Sequence, residues 1–166
     1  LDKCKEAGAE LVFLPIYYQE ASVILKQASD KDFKPLFFGC DGMDGILSVE
    51  NFDTSLAEGL MLLTPFSVDE EGSQDFVAAY EAAYGVEPLQ FAAGAYDGIY
   101  AMKAALEKAE ATPDMSVSDL CDAMKVAMTE ITIDGLTGEG MTWNEAGEPN
   151  KEPKAVKIVD GAYVMQ

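Results

Sequence analysis

The sequence predicts an α/β fold built on a parallel sheet, and three observations carry that prediction. Short apolar runs recur at Leu11–Pro15, Pro35–Phe38 and Gly59–Thr64, the length of buried strands rather than of helices. Between the first two lies a stretch with Ala21, Ile24, Leu25 and Ala28 at helical spacing. The second run ends in Gly39-Cys40-Asp41-Gly42, a turn-forming sequence. A strand, a helix and a second strand in this order make one β-α-β unit with its strands parallel.

The elements follow in order. Lys3–Ala9 reads as the tail of a helix entering the first strand, and Pro15 stops that strand because it offers no N–H to a ladder. Tyr17, Tyr18, Gln19 and Glu20 open the next helix. The third strand, Gly59–Thr64, is broken by Pro65-Phe66-Ser67. Asp69-Glu70-Glu71 is expected to form an acidic first turn at the positive end of a helix dipole. That helix carries Phe76, Ala79, Tyr80 and Ala83 and ends at Gly85. A long helix after Pro88 is expected to bury Phe91, Ala95, Ile99, Met102, Ala105 and Leu106. The next begins at Ser116 or Ser118 as its N-cap, with Leu120, Met124 and Met128 on one face. Beyond Ile133 the glycines and Asn144–Asn150 read as turns around the short run Met141-Thr142-Trp143. Lys154–Val159 and Ala162–Met165, joined by Asp160-Gly161, predict a terminal hairpin.

Composition removes several functions. The chain of 166 residues has 30 Asp and Glu against 11 basic residues, a net charge of −19, and no His. All 11 basic residues are Lys. A nucleic-acid binder needs a basic face to neutralise phosphates, and this field has the opposite sign. Without His, acid–base catalysis near neutral pH falls on side chains whose pKa must first be shifted. Without Arg, no bidentate clamp on phosphate or carboxylate is available. The expectation is a binding protein rather than an enzyme, with a carboxylate-dependent hydrolase as the outlying alternative.

Cys4, Cys40 and Cys121 are widely spaced and odd in number, so neither a metal site nor a cofactor is expected. They read as small buried hydrophobes, although a disulfide between two of them is compatible with the sequence. Met61, Met102, Met124 and Met128 read as core filler, and Asp44 as a solvated turn residue. Gly39, Gly42 and Gly45 lack the spacing of a dinucleotide fingerprint. No apolar run reaches the roughly 20 residues of a membrane span. Leu1-Asp2-Lys3-Cys4 carries no initiator Met or signal segment, so the chain is expected to come from a longer protein.

Candidate ligand-binding residues follow from the topology. In an open parallel sheet the binding crevice lies beyond the carboxyl ends of the strands. Tyr17 and Asp41 stand at two such ends. Asp41 is a natural partner for a ligand ammonium group, or else it caps the turn before Gly42. Tyr17 offers an apolar ring and a hydroxyl, and Tyr18 competes for the same role. Phe91, near the start of the long helix after Pro88, reads on its own as ordinary helix packing.

Five stretches in one order resemble a known family: AELVFLPIYYQEASVILKQA, PLFFGCDG, LAEGLMLLTPFS, QFAAGAYDGIYAMKAALEKA and LTGEGMTWNEAGEP. The chain is similar to the extracytoplasmic branched-chain amino-acid-binding proteins of ABC importers. The resemblance implies the type I periplasmic-binding-protein fold, two α/β lobes, with this chain as the C-terminal portion. Residues 1–65 would be part of the C-terminal lobe, 66–143 the helical return into the N-terminal lobe, and 144–166 a hinge return and terminal strands. It further implies a small amino acid held between lobes by hinge closure, with Asp41 on the ammonium group, Tyr17 on backbone atoms and Phe91 on the side chain. The implied partner is an ABC permease and the implied location extracytoplasmic. A sensory domain of a receptor with the same fold is the alternative. A chain holding parts of both lobes is also expected to leave apolar surface uncovered, and so to self-associate or to need its upstream half.

Overall fold

The computed structural model describes all 166 residues, which divide into two compact units, Leu1–Thr64 with Pro153–Gln166, and Pro65–Glu152. In the first unit a five-stranded mixed sheet has the order β1-β2-β3-β6-β7. Its strands are β1 (Leu11–Leu14), β2 (Leu36–Gly39), β3 (Met61–Thr64), β6 (Lys154–Val159) and β7 (Ala162–Met165). β1, β2 and β3 run parallel; β6 and β7 are antiparallel to their neighbours. The helix α2 (Tyr18–Asp30) connects β1 to β2 and buries Ala21, Leu25 and Ala28, the face that its spacing predicts. Asp160 and Gly161 both take positive φ (51° and 76°), the geometry that lets a two-residue turn follow the strand twist between β6 and β7.

One side of this sheet holds the core. Leu14, Leu62, Val156 and Ile158 pack there with Leu25, Met43, Ile46, Ala57 and Leu60. The opposite side is apolar too, as parallel strands require when both faces are to be covered. Leu11 and Phe13 nevertheless remain 52% exposed and Leu36 42%. The short N-terminal helix α1 (Asp2–Glu6) buries no residue, and an exposed Asp2–Lys31 ion pair at 2.8 Å ties it to the end of α2.

The second unit contains α3 (Gln74–Tyr84), α4 (Gln90–Lys108), α5 (Val117–Met128) and a two-stranded hairpin of β4 (Ile133–Gly135) and β5 (Gly138–Met141). Ser116 is the N-cap of α5, its hydroxyl accepting from the Asp119 N–H at 3.2 Å. Gly85 ends α3 in the left-handed conformation (φ 73°), as its position predicts.

Four expectations need correction. The acidic run 69–71 does not begin a helix: Glu71–Ser73 forms a 3-10 turn and α3 starts at Gln74, leaving Asp75 as the acid of its first turn. On α4 Ala105 is buried as expected, but Phe91, Ala95, Ile99, Met102 and Leu106 are exposed, and the other buried residues are Gln90, Ala93, Asp97 and Ala101. The small residues form an i, i+4 stripe that lets α5 and the hairpin approach closely, and the bulky apolar side chains fall elsewhere. Residues 133–141, read as turns, pair as strands because the glycines sit within a ladder rather than outside one. Cys4 and Cys40 are half-buried, Cys121 is exposed, and all three are free thiols.

Asp97 organises the second unit. Its carboxylate, 4% exposed, accepts from the N–H groups of Leu136 and Thr137, both at 2.8 Å, and from the Thr137 hydroxyl at 2.6 Å. A single acid on α4 therefore satisfies the tight turn between β4 and β5. Gly135 is required beside it, since a Cβ there would lie 2.6 Å from the carboxylate carbon. The rings of Phe76, Tyr80 and Tyr84 follow one another along α3, with Phe66 edge-on to Phe76 and Tyr96 of α4 5.1 Å from Phe76 between ring centres.

Candidate functional site

The parallel register sets the ends of β1 and β2 level, with Leu14 opposite Gly39. The chain leaves these paired ends through Pro15-Ile16-Tyr17 on one side and Cys40-Asp41-Gly42 on the other. The two exits touch. Gly42 lies so near the first segment that an added Cβ would stand 2.9 Å from the Ile16 carbonyl oxygen and 3.3 Å from Tyr17 Cδ1. Gly42 is buried although Asp41 beside it is exposed. Its glycine identity serves close approach, not unusual backbone rotation.

Tyr17 precedes α2 in an extended conformation (φ −84°, ψ 160°) and is 63% exposed. Tyr18, one residue on, packs against the sheet core, so adjacent rings have opposite fates. Asp41 begins a 3-10 turn over Asp41–Met43, with Cys40 in the N-cap position. Tyr17, Tyr18 and Asp41 are thus gathered at one end of the sheet in the first unit. Phe91 belongs to the second unit, at the second residue of α4, and is 41% exposed.

Behind Asp41 the loop is anchored from beneath. Met43 and Ile46 are fully buried in the core, like pegs on either side of Asp44 and Gly45. Asp44 is 8% exposed, which corrects its reading as a solvated turn residue. The Gly45 N–H donates to the Tyr163 phenolic oxygen at 3.1 Å. Burial, reinforced by the Asp44 carboxylate, pushes the Tyr163 phenol up to about 12, so it is neutral throughout the physiological range.

Sequence reasoning did not find Gly42 as a spacer or Tyr163 as a support. Gly42 resembles any turn glycine until the Ile16 carbonyl is seen against it. Tyr163 lies 118 residues from its hydrogen-bond partner, and no local pattern signals such a contact.

The arrangement sets the Tyr17 ring against Gly42, the residue next to Asp41, at the carboxyl ends of the parallel strands β1 and β2. No helix is long and apolar enough to cross a membrane. The backbone is similar to that of a leucine-binding protein from Thermotoga maritima, with a TM-score of 0.79 at 19% identity over 99% of this chain and 46% of that one. It is also similar to an isoleucine-bound branched-chain amino-acid transporter substrate-binding protein from Streptococcus pneumoniae (TM-score 0.73, 22% identity, 95% of this chain and 45% of that one). A third likeness is to a benzoate-bound solute-binding protein from Rhodopseudomonas palustris (TM-score 0.78, 16% identity, 99% and 44%). The chain thus spans just under half the length of these structures, and the likeness establishes the type I periplasmic-binding-protein fold. No curated protein sequence matches. The family model for periplasmic binding proteins matches residues 1–162, and the chain belongs to the periplasmic binding protein family.

Proposed function

We propose that this chain forms part of the extracytoplasmic substrate-binding component of an ABC importer and that its ligand is a small aliphatic amino acid. The observation that carries the reading is the Gly42 contact, which holds the Tyr17 and Asp41 segments together at the paired strand ends. Asp41 accepts hydrogen bonds from the ligand ammonium group, and the Tyr17 ring lies along the ligand backbone. The family resemblance assigns the ligand side chain to Phe91 and implies that two lobes close on the ligand, whose extra contacts in the closed state drive closure. Tyr18, turned to the core, supports Tyr17 rather than the ligand.

Solved relatives of this fold include leucine- and isoleucine-binding proteins and a benzoate binder. The charge of Asp41 separates these ligand classes. A carboxylate attracts an ammonium group and repels benzoate, which is an anion with no cationic end.

Calorimetric titration of the full-length protein with leucine, isoleucine, valine and benzoate tests the reading. Binding of an aliphatic amino acid, weakened about 10- to 100-fold by Asp41→Ala as expected for loss of a charge-assisted bond, supports it. Benzoate binding without amino-acid binding refutes the ligand class. Amino-acid binding indifferent to Asp41→Ala refutes the anchor.

A further inference from the structure

We infer that Tyr163, on the final strand β7, is a positioning residue for the Asp41 loop, so that the C-terminal hairpin helps to set ligand affinity. The inference rests on the reading of Asp41 as the ammonium anchor. The path from Tyr163 to Asp41 is short and made of backbone. Tyr163 Oη accepts from the Gly45 N–H at 3.1 Å. Gly45 takes a left-handed conformation (φ 101°) and follows Asp44, whose N–H closes the 3-10 turn on the Asp41 carbonyl at 3.0 Å. Ser48 closes the following turn on the Gly45 carbonyl at 2.9 Å, so Gly45 joins two consecutive turns. A residue at such a junction is where a loop pivots, and the Tyr163 oxygen holds that pivot.

The remaining supports of the loop act differently. Met43 and Ile46 fix its depth by burial, and Gly42 fixes its separation from Ile16 and Tyr17. Apolar packing is non-directional, whereas a hydrogen bond constrains direction. Tyr163 therefore sets the rotation of the turn, and with it the aim of the Asp41 carboxylate. The phenol is itself well seated. Its ring packs against the sheet core, and β7 pairs Tyr163 with Ile158, which is fully buried.

Two substitutions in a double-mutant cycle provide the test, with leucine as the titrant and the full-length protein as the sample. Tyr163→Phe keeps the ring and removes the acceptor; it is expected to weaken leucine binding about fivefold, the scale of one neutral hydrogen bond. In an Asp41→Asn background the same change is expected to have almost no further effect, because the group that Tyr163 aims is already lost. A general loosening of the fold would instead weaken binding equally in both backgrounds, and that result overturns the inference. Unchanged affinity in Tyr163→Phe overturns it as well, while a loss in Asp41→Asn leaves the amino-acid reading intact. If Tyr163→Phe does not fold, a fluorinated tyrosine at position 163 preserves the shape with a poorer acceptor. A smaller loss of affinity, again confined to the Asp41 background, is then expected, and no loss refutes the role.

Discussion

Replacing Asp97 by Ala should unfasten the second unit. The substitution removes three hydrogen bonds to a buried carboxylate, from two backbone N–H groups and one hydroxyl at 2.6–2.8 Å. Each donor left without a partner in a dry site costs about 1–3 kcal/mol, and such costs are not fully additive, so we expect a loss of about 3–5 kcal/mol. That is a large part of the ~5–15 kcal/mol that holds a typical domain together. Urea denaturation reads the total, and amide hydrogen exchange at Leu136 and Thr137 locates it. Gly135 supplies an internal control. Gly135→Ala drives a methyl group to 2.6 Å from the Asp97 carboxylate and should cost about 1–3 kcal/mol as overpacking. In the Asp97→Ala background the obstruction is gone, and Gly135→Ala should cost distinctly less. A loss below about 1 kcal/mol for Asp97→Ala, or preserved protection at both amides, would refute the clamp.

Three further outcomes are expected. Because the Tyr163 phenol is pushed from its ordinary 10.0 to about 12, the unfolded chain releases this proton before the folded one does. Stability that is complete below pH 10 should then decline by about 2–3 kcal/mol towards pH 12; Tyr163→Phe should lack this increment in urea titrations across that interval. Gly42→Ala should force the Ile16–Tyr17 segment away and weaken leucine binding about tenfold, with a melting temperature shifted by only a few degrees; tight binding in this variant would show that the close contact is dispensable. Leu62→Ala, at a fully buried position in the central strand β3, should cost about 2–5 kcal/mol by chemical denaturation, and a near-neutral result would mean the sheet core repacks.

The fold of the first unit was legible because its signals are local. β1, α2, β2, β3 and the terminal hairpin all lie where apolar runs, helical spacing and turn residues place them. Tyr17 and Asp41 could be nominated for the same reason, since both follow directly from where a strand stops. The second unit was less legible. Its α4 sequence carries two candidate faces, one of large apolar residues and one of small ones with an aspartate. Size favours the first as core, yet Ala93, Ala101 and Ala105 are the buried residues, with Asp97 among them. Close approach of neighbouring elements selects small side chains, and a sequence does not state how near those neighbours come.

By itself, then, the sequence determined the class of fold, the order of the elements in the first unit, the strongly acidic net charge, and the strand ends at which Tyr17 and Asp41 stand. Tertiary structure alone decided that Gly42 presses on Ile16, that Asp97 fastens the β4–β5 turn, and that Tyr163 holds Gly45 from 118 residues away. The division has a physical cause. Strand, helix and turn propensities act over a few neighbouring residues and leave a readable period. A close contact or a buried hydrogen bond joins residues that become neighbours only after the sheet has formed.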